Sequence, residues 1–408
     1  MLSGPDIRSE LTVLLLEVPV PEAVIVDAVR TPIGKRRGSL ADVHPVDLSA
    51  VVLKALAERT GVDPELIDDV LWGCVNQVGD QAAQIGRYAV LAAGWPETVP
   101  GVTINRACGS SQSSFDFAAG MVMAGQYDLV VAGGVESMTR VPLGSGRDIG
   151  SQYGPLVRER YAADLTSGEF PNQDFNQGVG AERIARRFGF SRRTLDEYAA
   201  RSHELAAAAT ERGDFAGQLA PVAAAPDLVA DEGIRRGSTA DTLAKLKPSF
   251  REDGVIHAGN ASQISDGASA VLIATPERAA ELGLTPIARY HSGAVSGADP
   301  LEMLTGPIPA TQKVLKRSGI SVGEIGVFEV NEAFAPVPLA WLAEIGADES
   351  RLNPLGGAIA VGHPLGASGT VLMTRLVHHM RANEIRYGLQ TMCEGGGTAN
   401  ATIVELLR

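Results

Sequence analysis

Short apolar runs alternate with stretches of helical periodicity in the first third of the chain. Four of these runs have the length of a strand, and three segments between them carry apolar residues at helical spacing. The predicted strands are residues 23–28, 70–75, 102–105 and 129–132, and the predicted helices are residues 45–59, 82–93 and 110–124. Because the strands are apolar throughout instead of alternating, the pattern predicts a parallel sheet that helices cover on both faces.

This pattern stops after about residue 140 and resumes near residue 265. The stretch between is rich in charged residues, Gly, Pro and Gln, and one helical segment stands out in it at residues 191–212. The later predicted strands are residues 270–273, 287–289, 326–330, 389–393 and 401–406, and the later helices are residues 304–318, 331–346 and 367–380. We therefore expect an α/β protein with two similar halves and an inserted loop domain.

These changes of pattern give domain boundaries. We expect a first half at residues 22–139, completed by about residues 265–285, a loop domain at residues 140–264 and a second half at residues 286–408. Residues 1–21 are interpreted as an extension, or as the result of a start codon assigned too early. The apolar stretch within them contains Glu17 and no basic segment precedes it, so we do not interpret it as a signal peptide.

Charge and cysteine content exclude several classes of protein. A net charge of −13 argues against a nucleic-acid-binding protein, although it is compatible with a local basic patch for a small polyanion. No apolar run approaches the ~20 residues of a membrane span. The three cysteines include no CxxC pair, which predicts neither a disulfide framework nor a structural metal site. We therefore expect a cytoplasmic protein with reduced thiols.

Cys108 is the first candidate for chemistry, because it lies where a predicted strand gives way to a predicted helix. A thiol at a helix N-terminus faces unpaired N–H groups and the positive end of the helix dipole. That position lowers its pKa from about 8.5 and favours the nucleophilic thiolate. Gly109 leaves room beside it for a substrate. An ordinary buried cysteine is the alternative interpretation, and it is the one we prefer for Cys74, inside a strand.

Three further residues have a context that suits catalysis. His363 lies in a glycine-rich loop before a helix and could take a proton from a thiol, although a single histidine is more often structural. Cys393 ends a strand and is followed closely by three glycines, whose N–H groups could hold an oxyanion. Asn331 lies at a strand-to-helix junction, where it is either an N-cap or an amide that orients a water or a carbonyl.

Together these segments resemble the thiolase family. The resemblance covers residues 22–408 and rests on an ordered set of motifs. They are DAVRTPIG at 27–34, NRACGSS at 105–111, GGVESM at 133–138, GNAS at 259–262, SDGA at 265–268, NEAF at 331–334, GHPLGASG at 362–369 and CEGGG at 393–397. The resemblance implies the five-layered αβαβα thiolase fold, a homodimer or homotetramer, and an acyltransferase that uses coenzyme A as a substrate without a permanently bound cofactor or metal.

The resemblance also implies a role for each catalytic candidate. Cys108 is the acylated nucleophile, His363 activates it, and Cys393 protonates the leaving acyl-CoA carbanion. One oxyanion hole consists of His363 and a water held by Asn331, and the other consists of the backbone N–H groups of Cys108 and Gly395. An attacking thiolate, a stabilised oxyanion and an acid for the departing enolate are what carbon–carbon cleavage of a 3-ketoacyl thioester requires.

The implied coenzyme A contacts lie in or at the end of the loop domain. Arg235 and Thr242 match contacts to the adenine nucleotide, and Ser262 matches a contact to the pantetheine. Three more basic residues, Arg236, Lys245 and Lys247, make the segment around residues 235–251 a local basic patch on an acidic protein. A polyphosphate ligand needs such a patch.

One departure from the family pattern concerns the substrate. Short-chain biosynthetic members carry a His-Met pair where this chain has Asn176 and Gln177. The difference favours a degradative 3-ketoacyl-CoA thiolase of fatty-acid or steroid side-chain β-oxidation, releasing acetyl-CoA or propionyl-CoA, over an acetyl-CoA acetyltransferase. Three other classes fit these residues less well. A non-catalytic acyl-CoA- or lipid-binding relative need not keep Cys108, His363 and Cys393 together. A ketoacyl synthase uses two histidines beside its cysteine, whereas this chain has Cys393 in the second position, and a cysteine protease would not need Cys393.

Overall fold

The computed structural model describes residues 21–146, 153–171 and 174–407. The expected extension at residues 1–21 therefore lies outside the described residues, apart from residue 21. The strands are β1 (Val24–Arg30), β2 (Gly34–Lys35), β3 (Asp69–Gly73), β4 (Val102–Ile104), β5 (Leu129–Ser137), β6 (Ser265–Ala274), β7 (Ala288–Gly297), β8 (Val327–Val330), β9 (Tyr387–Glu394) and β10 (Thr398–Leu406). Each predicted strand is present, and β5, β6 and β7 extend furthest beyond the predicted runs.

The helices follow the predicted pattern with shifted ends. They are α1 (Pro45–Thr60), α2 (Ile85–Ala92), α3 (Ser110–Met123), α4 (Pro155–Arg160), α5 (Ala162–Leu165), α6 (Gln177–Phe188), α7 (Arg192–Arg212), α8 (Ala240–Leu243), α9 (Pro276–Glu281), α10 (Pro307–Ser318), α11 (Pro336–Ile345), α12 (Ala358–Val361) and α13 (Ser368–Ala382). Local chemistry sets several of these ends. For example, Ser191 caps α7 and Gly213 ends it with a φ of 79°.

The strands form one mixed sheet, so the prediction of a parallel sheet was wrong. The strand order is β4-β3-β5-β6-β1-β7-β10-β9-β8, with β2 added to β6. Among the described strands, pairing is parallel for β3 with β4, β3 with β5 and β8 with β9, and it is antiparallel elsewhere. Burial on both faces makes a strand apolar whatever its direction, so the apolar runs could not show that β6 and β10 run antiparallel to their neighbours.

The two halves repeat one topology. In the first half, β3, β5, β6 and β1 are neighbours, with one parallel and two antiparallel pairings. In the second half, β8, β9, β10 and β7 repeat that order and those directions. The halves join where β1 pairs with β7, through Val24 with Arg289 and Ile25 with Ala288.

Apolar side chains pack the elements into five layers. Helices α1 and α2 cover the outer face of the first half through residues such as Leu53. Helices α10 and α11 cover the outer face of the second half through residues such as Trp341. Helices α3 and α13 lie between the halves, where Phe115 and Leu376 share one apolar cluster with strands of both halves. This is the αβαβα arrangement that the sequence predicted.

The two central helices approach each other closely at one glycine. A Cβ added to Gly369 of α13 would lie 2.1 Å from the backbone nitrogen of Gln112 on α3. Next to this contact, the Thr370 N–H donates a hydrogen bond to Ser111 Oγ at 3.0 Å. Because Cys108 precedes α3 and His363 precedes α13, this contact fixes the position of one candidate residue relative to the other.

The loop region is fixed to the two halves by buried polar contacts. The described part of residues 140–264 contains helices α4 to α8 and no strand. Arg30 of β1 forms a two-pronged ion pair with Asp231, at 2.7 and 3.0 Å. From α7, the Tyr198 and Ser202 hydroxyls donate to Glu332 at 3.0 and 2.6 Å. Among the described residues, no helix is both long and apolar enough to cross a membrane.

We expect Gly369→Ala to destabilise the protein by about 2–3 kcal/mol, because a Cβ at this position overpacks the contact between the central helices. Gly120→Ala is the matched control, since a Cβ at Gly120 of α3 meets no atom within 4 Å. It should stabilise the protein by roughly 0.5–1 kcal/mol, as alanine does inside a helix. Chemical denaturation at one protein concentration measures both. Equal stabilities for the two variants would contradict the close approach.

Candidate active site

A tight turn between β4 and α3 presents Cys108. The Asn105 side chain accepts a hydrogen bond from the Ala107 N–H at 2.9 Å. Ser110 Oγ accepts from the Arg106 N–H at 2.9 Å and donates to the Ala107 carbonyl at 2.6 Å. Ala107 adopts a left-handed conformation with a φ of 46°, which costs energy for a residue with a Cβ. Surrounding hydrogen bonds therefore hold a strained backbone directly before the thiol.

Cys108 is buried, and its environment differs from the one that the sequence suggested. Burial raises the pKa of the Cys108 thiol, and the nearby Cys393 and Glu394 raise it further. The N–H groups of Gly395 and of Cys108 itself act in the opposite direction. The expectation that the helix terminus lowers this pKa is therefore wrong for the resting protein, because the loss of solvation outweighs two N–H donors.

Hydrogen bonds fix His363 in one orientation and one tautomer. Its backbone N–H donates to Ser265 Oγ at 3.1 Å, and its ring Nδ1 lies 2.7 Å from Ser368 Oγ. The Ser368 hydroxyl already donates its hydrogen to the Pro364 carbonyl at 2.8 Å. Ser368 Oγ can therefore only accept from the ring, which places the ring proton on Nδ1 and leaves Nε2 unprotonated, as a base requires.

The imidazole of His363 is neutral at physiological pH. Burial lowers the pKa of His363 to about 4. A buried neutral imidazole and a buried neutral thiol thus form the resting site. Proton transfer between them would create two charges out of water, which costs free energy unless a developing oxyanion or a bound substrate compensates. The thiolate is accordingly a species of the reaction and not of the resting protein.

Asn331 connects His363 with Cys393. Its Nδ2 lies 3.4 Å from His363 Nε2 and 4.0 Å from Cys393 Sγ. The N-cap interpretation is wrong, because α11 begins five residues later, at Pro336. The Asn331 backbone N–H donates to the Thr391 carbonyl at 3.1 Å, which fixes the residue against β9. Its Oδ1 is buried and has no donor among the described residues, as an amide that binds a water would require.

Cys393 and Gly395 complete the group around Cys108. Burial raises the pKa of Cys393 to about 12, while the Asn331 amide acts to lower it. Cys393 is therefore a protonated thiol that can act as an acid. The glycine turn follows directly, and Gly396 and Gly397 have φ values of 88° and 79°. This turn aims the Gly395 N–H at the Cys108 sulfur, where it lowers the thiol pKa.

Two buried glutamates shape the site, and the sequence did not predict the role of either one. Glu136, inside GGVESM, accepts hydrogen bonds from the Gly366 N–H at 2.9 Å and the Val75 N–H at 3.0 Å. Glu332, inside NEAF, accepts from the Ile359 N–H at 3.1 Å in addition to the two hydroxyls of α7. Both carboxylates hold backbone beside His363. Both glutamates lie inside motifs that resemble the thiolase family, and this position was the signal by which the sequence could have indicated them.

The implied coenzyme A residues lie at the surface of the loop region. Arg235 and Thr242 are exposed, and Ser262 is half-buried. The Thr242 hydroxyl already forms a capping box with Thr239 at the start of α8. The Gln263 amide ties this region to the His363 loop, because it donates to the carbonyls of Gly233 and Ile359, each at 2.8 Å. No cluster of three or more potential metal ligands occurs among the described residues.

Comparisons with known proteins show the family of the chain. The model of the thiolase N-terminal domain matches residues 23–277, and that of the thiolase C-terminal domain matches residues 284–406. The chain is 47% identical over 388 residues to the steroid 3-ketoacyl-CoA thiolase FadA6 of Mycobacterium tuberculosis, which covers 95% of this chain and 94% of that protein. It is 40% identical over 400 residues to a 3-ketoacyl-CoA thiolase of Bacillus subtilis, covering 94% and 99%.

A solved structure gives the same result. The crystal structure of the Bacillus anthracis acetyl-CoA acetyltransferase matches with a TM-score of 0.85 and 36% identity, covering 95% of this chain and 99% of that chain. The chain therefore belongs to the thiolase family. The family and the fold that the motifs predicted are confirmed.

Ser368→Ala should lower kcat/KM by about tenfold, because the group that holds a histidine base in one tautomer and orientation supports its proton transfer. The variant removes the acceptor that keeps the ring proton on Nδ1. Thr374→Val, on the same helix, is the control, since the Thr374 hydroxyl bonds only the Thr370 carbonyl within the described part of the chain. Steady-state kinetics of both variants check the assignment, and an unchanged kcat/KM in Ser368→Ala would contradict it.

Proposed function

We propose that this protein cleaves 3-ketoacyl-CoA thioesters with coenzyme A, giving acetyl-CoA or propionyl-CoA and a shortened acyl-CoA, with Cys108 as the covalent nucleophile. One observation supports this most strongly. Two thiols and a neutral imidazole converge in one buried site, where the Asn331 amide lies between His363 and Cys393. A binding protein has no need for two buried thiols of which one shares an amide with an imidazole and the other lies against two N–H donors.

In the first half-reaction, His363 Nε2 takes the proton of the Cys108 thiol as the sulfur attacks the 3-keto carbon. The carbonyl oxygen becomes an oxyanion, which the N–H groups of Cys108 and Gly395 are placed to receive. The bond between C2 and C3 then breaks, and its electron pair forms the enolate of the departing acyl-CoA. Cys393 gives its proton to C2 and becomes a thiolate, which releases acetyl-CoA or propionyl-CoA and leaves an acyl-Cys108 thioester.

In the second half-reaction, coenzyme A takes the acyl group. The Cys393 thiolate removes the proton of the coenzyme A thiol, the new thiolate attacks the acyl carbon, and the proton on His363 returns to the Cys108 sulfur.

In the first half-reaction, His363 and a water on Asn331 stabilise the enolate oxygen. A preorganised oxyanion donor typically contributes ~3–4 kcal/mol, and general acid-base catalysis contributes roughly 10²–10⁴-fold.

We propose that residues 140–264 are the coenzyme A-binding unit. The Arg235 side chain is exposed and has no ion pair among the described residues, so its charge is available to a phosphate. The neighbouring Arg236 pairs with Glu211, which offsets part of the patch. Ser262 lies three residues before Ser265, the residue that holds the His363 loop, so a pantetheine chain could run from the patch to the site.

Arg235→Ala should raise KM for coenzyme A about fivefold with little change in kcat, because an exposed charge contact contributes up to about 1 kcal/mol. Arg212→Ala is the matched control. Arg212 is also exposed, but it pairs with Asp214 and lies outside the basic patch. Initial rates at varied coenzyme A concentration distinguish the two variants, and equal KM values would remove Arg235 from the binding site.

The residues beside Gly395 and the relatives bear on the length of the acyl chain. Asn176 caps α6, and the Gln177 amide lies 3.3 Å from the position of a Gly395 Cβ, at the edge of the site. The names of the mycobacterial and B. subtilis relatives are those of degradative 3-ketoacyl-CoA thiolases, which supports a longer chain. The name of the B. anthracis structure supports the alternative, an acetyl-CoA acetyltransferase.

We propose that the protein acts as a cytoplasmic homo-oligomer. Strand β4 lies at one edge of the sheet and exposes Val102. Phe117 and Met121 on the adjoining α3 are also exposed. An apolar sheet edge beside exposed apolar helix residues is suited to pairing with a second copy. The free thiols of Cys74, Cys108 and Cys393 are suited to a reducing compartment.

Thiolysis of a chain-length series, followed through loss of the 3-ketoacyl-CoA enolate absorbance, tests the proposed function. We expect activity on chains longer than acetoacetyl-CoA, and we expect Cys108→Ala to abolish it. Activity confined to acetoacetyl-CoA would favour the acetyltransferase. No cleavage of any chain would favour an acyl-CoA-binding protein, and equal rates for wild type and Cys108→Ala would contradict covalent catalysis by Cys108.

A further inference from the structure

The carboxyl group of Glu394 lies beside the backbone that presents the nucleophile, and the mechanism above does not use it. A Cβ on Gly109 would be 1.9 Å from Glu394 Oε1 and 2.5 Å from Asn400 Oδ1. The absence of a side chain at Gly109 is therefore what admits both oxygens. Two oxygens so near one point are also close neighbours of each other.

Both of these oxygens lack a donor. Glu394 Oε1 and Asn400 Oδ1 are buried and have no hydrogen-bond partner among the described residues. The other polar atoms of the two side chains are satisfied. Thr398 Oγ1 donates to Glu394 Oε2 at 2.6 Å, and Asn400 Nδ2 donates to Ser113 Oγ at 3.1 Å and Asp116 Oδ2 at 3.2 Å. Two bare acceptors side by side in a buried site are unfavourable, whereas one proton on Oε1 would satisfy both.

We propose that Glu394 is a positioning residue that is protonated in the active enzyme, and that its neutral carboxyl is what allows the Cys108 thiolate to form. This rests on the role proposed above for Cys108. Protonated Glu394 donates to Asn400, which in turn donates to Asp116 on α3. An ionised Glu394 would instead place a negative charge beside the developing thiolate and oppose it.

The burial and the charged groups around this cluster together favour a neutral Glu394. Burial raises the pKa of Glu394 to about 8; Thr398 and Arg106 act to lower it, and Asp116 acts to raise it. Burial also raises the pKa of Asp116 to about 7, against hydrogen bonds from Thr402 and Asn400 and the charge of Arg106. Tyr290 on β7 faces Asp116, whose charge raises the pKa of the Tyr290 hydroxyl. An ionised Glu394 raises the pKa of both Cys108 and Cys393.

The effect of Glu394 on the pKa of Cys108 depends on pH. Below about pH 8 Glu394 is neutral, so replacing it with glutamine changes little at Cys108. Above that pH the native carboxyl ionises and raises the pKa of the Cys108 thiol, whereas glutamine stays neutral. The wild type and the variant should therefore agree at low pH and diverge as the pH rises through 8.

Alkylation of Cys108 by iodoacetamide tests this without any substrate. The rate constant for modification of the Cys108 peptide is measured by mass spectrometry between pH 6 and 9.5 in the wild type, Glu394→Gln and Glu204→Gln. The last is a control that removes one exposed negative charge on α7. We expect equal rates for all three at pH 6.5, and at pH 9 a rate for Glu394→Gln that is roughly three- to tenfold above the other two.

Parallel profiles for the wild type and Glu394→Gln would overturn the proposal, as would a rate that Glu394→Gln lowers by the same factor at every pH. If Glu394→Gln fails to fold, the infrared spectrum of the wild type decides. The carbonyl band of the buried Asp116 carboxyl should fade near pH 7 and that of Glu394 only above pH 8, and the absence of the second step would overturn the proposal. Because alkylation needs no thioester, a lack of thiolysis alongside the predicted divergence would refute only the proposed function.

Discussion

The close contact of the two central helices is the constraint on which the site depends. Each half of the molecule contributes one of them, and each helix follows a loop that carries one partner of the proposed reaction. Gly369 allows the backbones to meet, and the hydrogen bond from Thr370 to Ser111 fixes their relative position. Within the sheet, the halves join through a short pairing of β1 with β7. Neither half alone contains both a nucleophile and its base.

Burial is the second constraint, because it sets the protonation states with which the reaction begins. It raises the thiol pKa values, lowers the imidazole pKa and so keeps the resting site neutral. The proposed donors to an oxyanion, the Gly395 N–H and the Asn331 amide, already lie around that neutral site. Such an arrangement stabilises charge only where and when the reaction creates it, which is the condition for a catalytic effect.

Much of the fold could be predicted from the sequence, for reasons that differ between elements. The apolar runs located the strands, and caps such as Ser191 with Gly213 located helix ends. Strand direction could not be read, because burial on both faces gives the same apolar run in either direction. Helix α11 begins at Pro336 and not at Asn331, because the chain first passes through the site. The motif resemblance, and not periodicity, gave the five layers.

The site was predicted less completely than the fold. The motifs identified Cys108, His363, Cys393 and Asn331, which the structure brings together. The lowered pKa expected for Cys108 was wrong, since a helix terminus is visible in a sequence and the depth of burial is not. The sequence did not predict that Ser368 orients His363, because this role depends on the hydrogen bond that the Ser368 hydroxyl donates to the Pro364 carbonyl.

Mass spectrometry of the protein mixed with a 3-ketoacyl-CoA in the absence of free coenzyme A tests the central claim most directly. We expect one acyl group, two carbons shorter than the substrate acyl chain, on the peptide that contains Cys108, and we expect added coenzyme A to remove it. An adduct on Cys74 or Cys393, or acetyl-CoA release with no adduct on Cys108, would contradict the account.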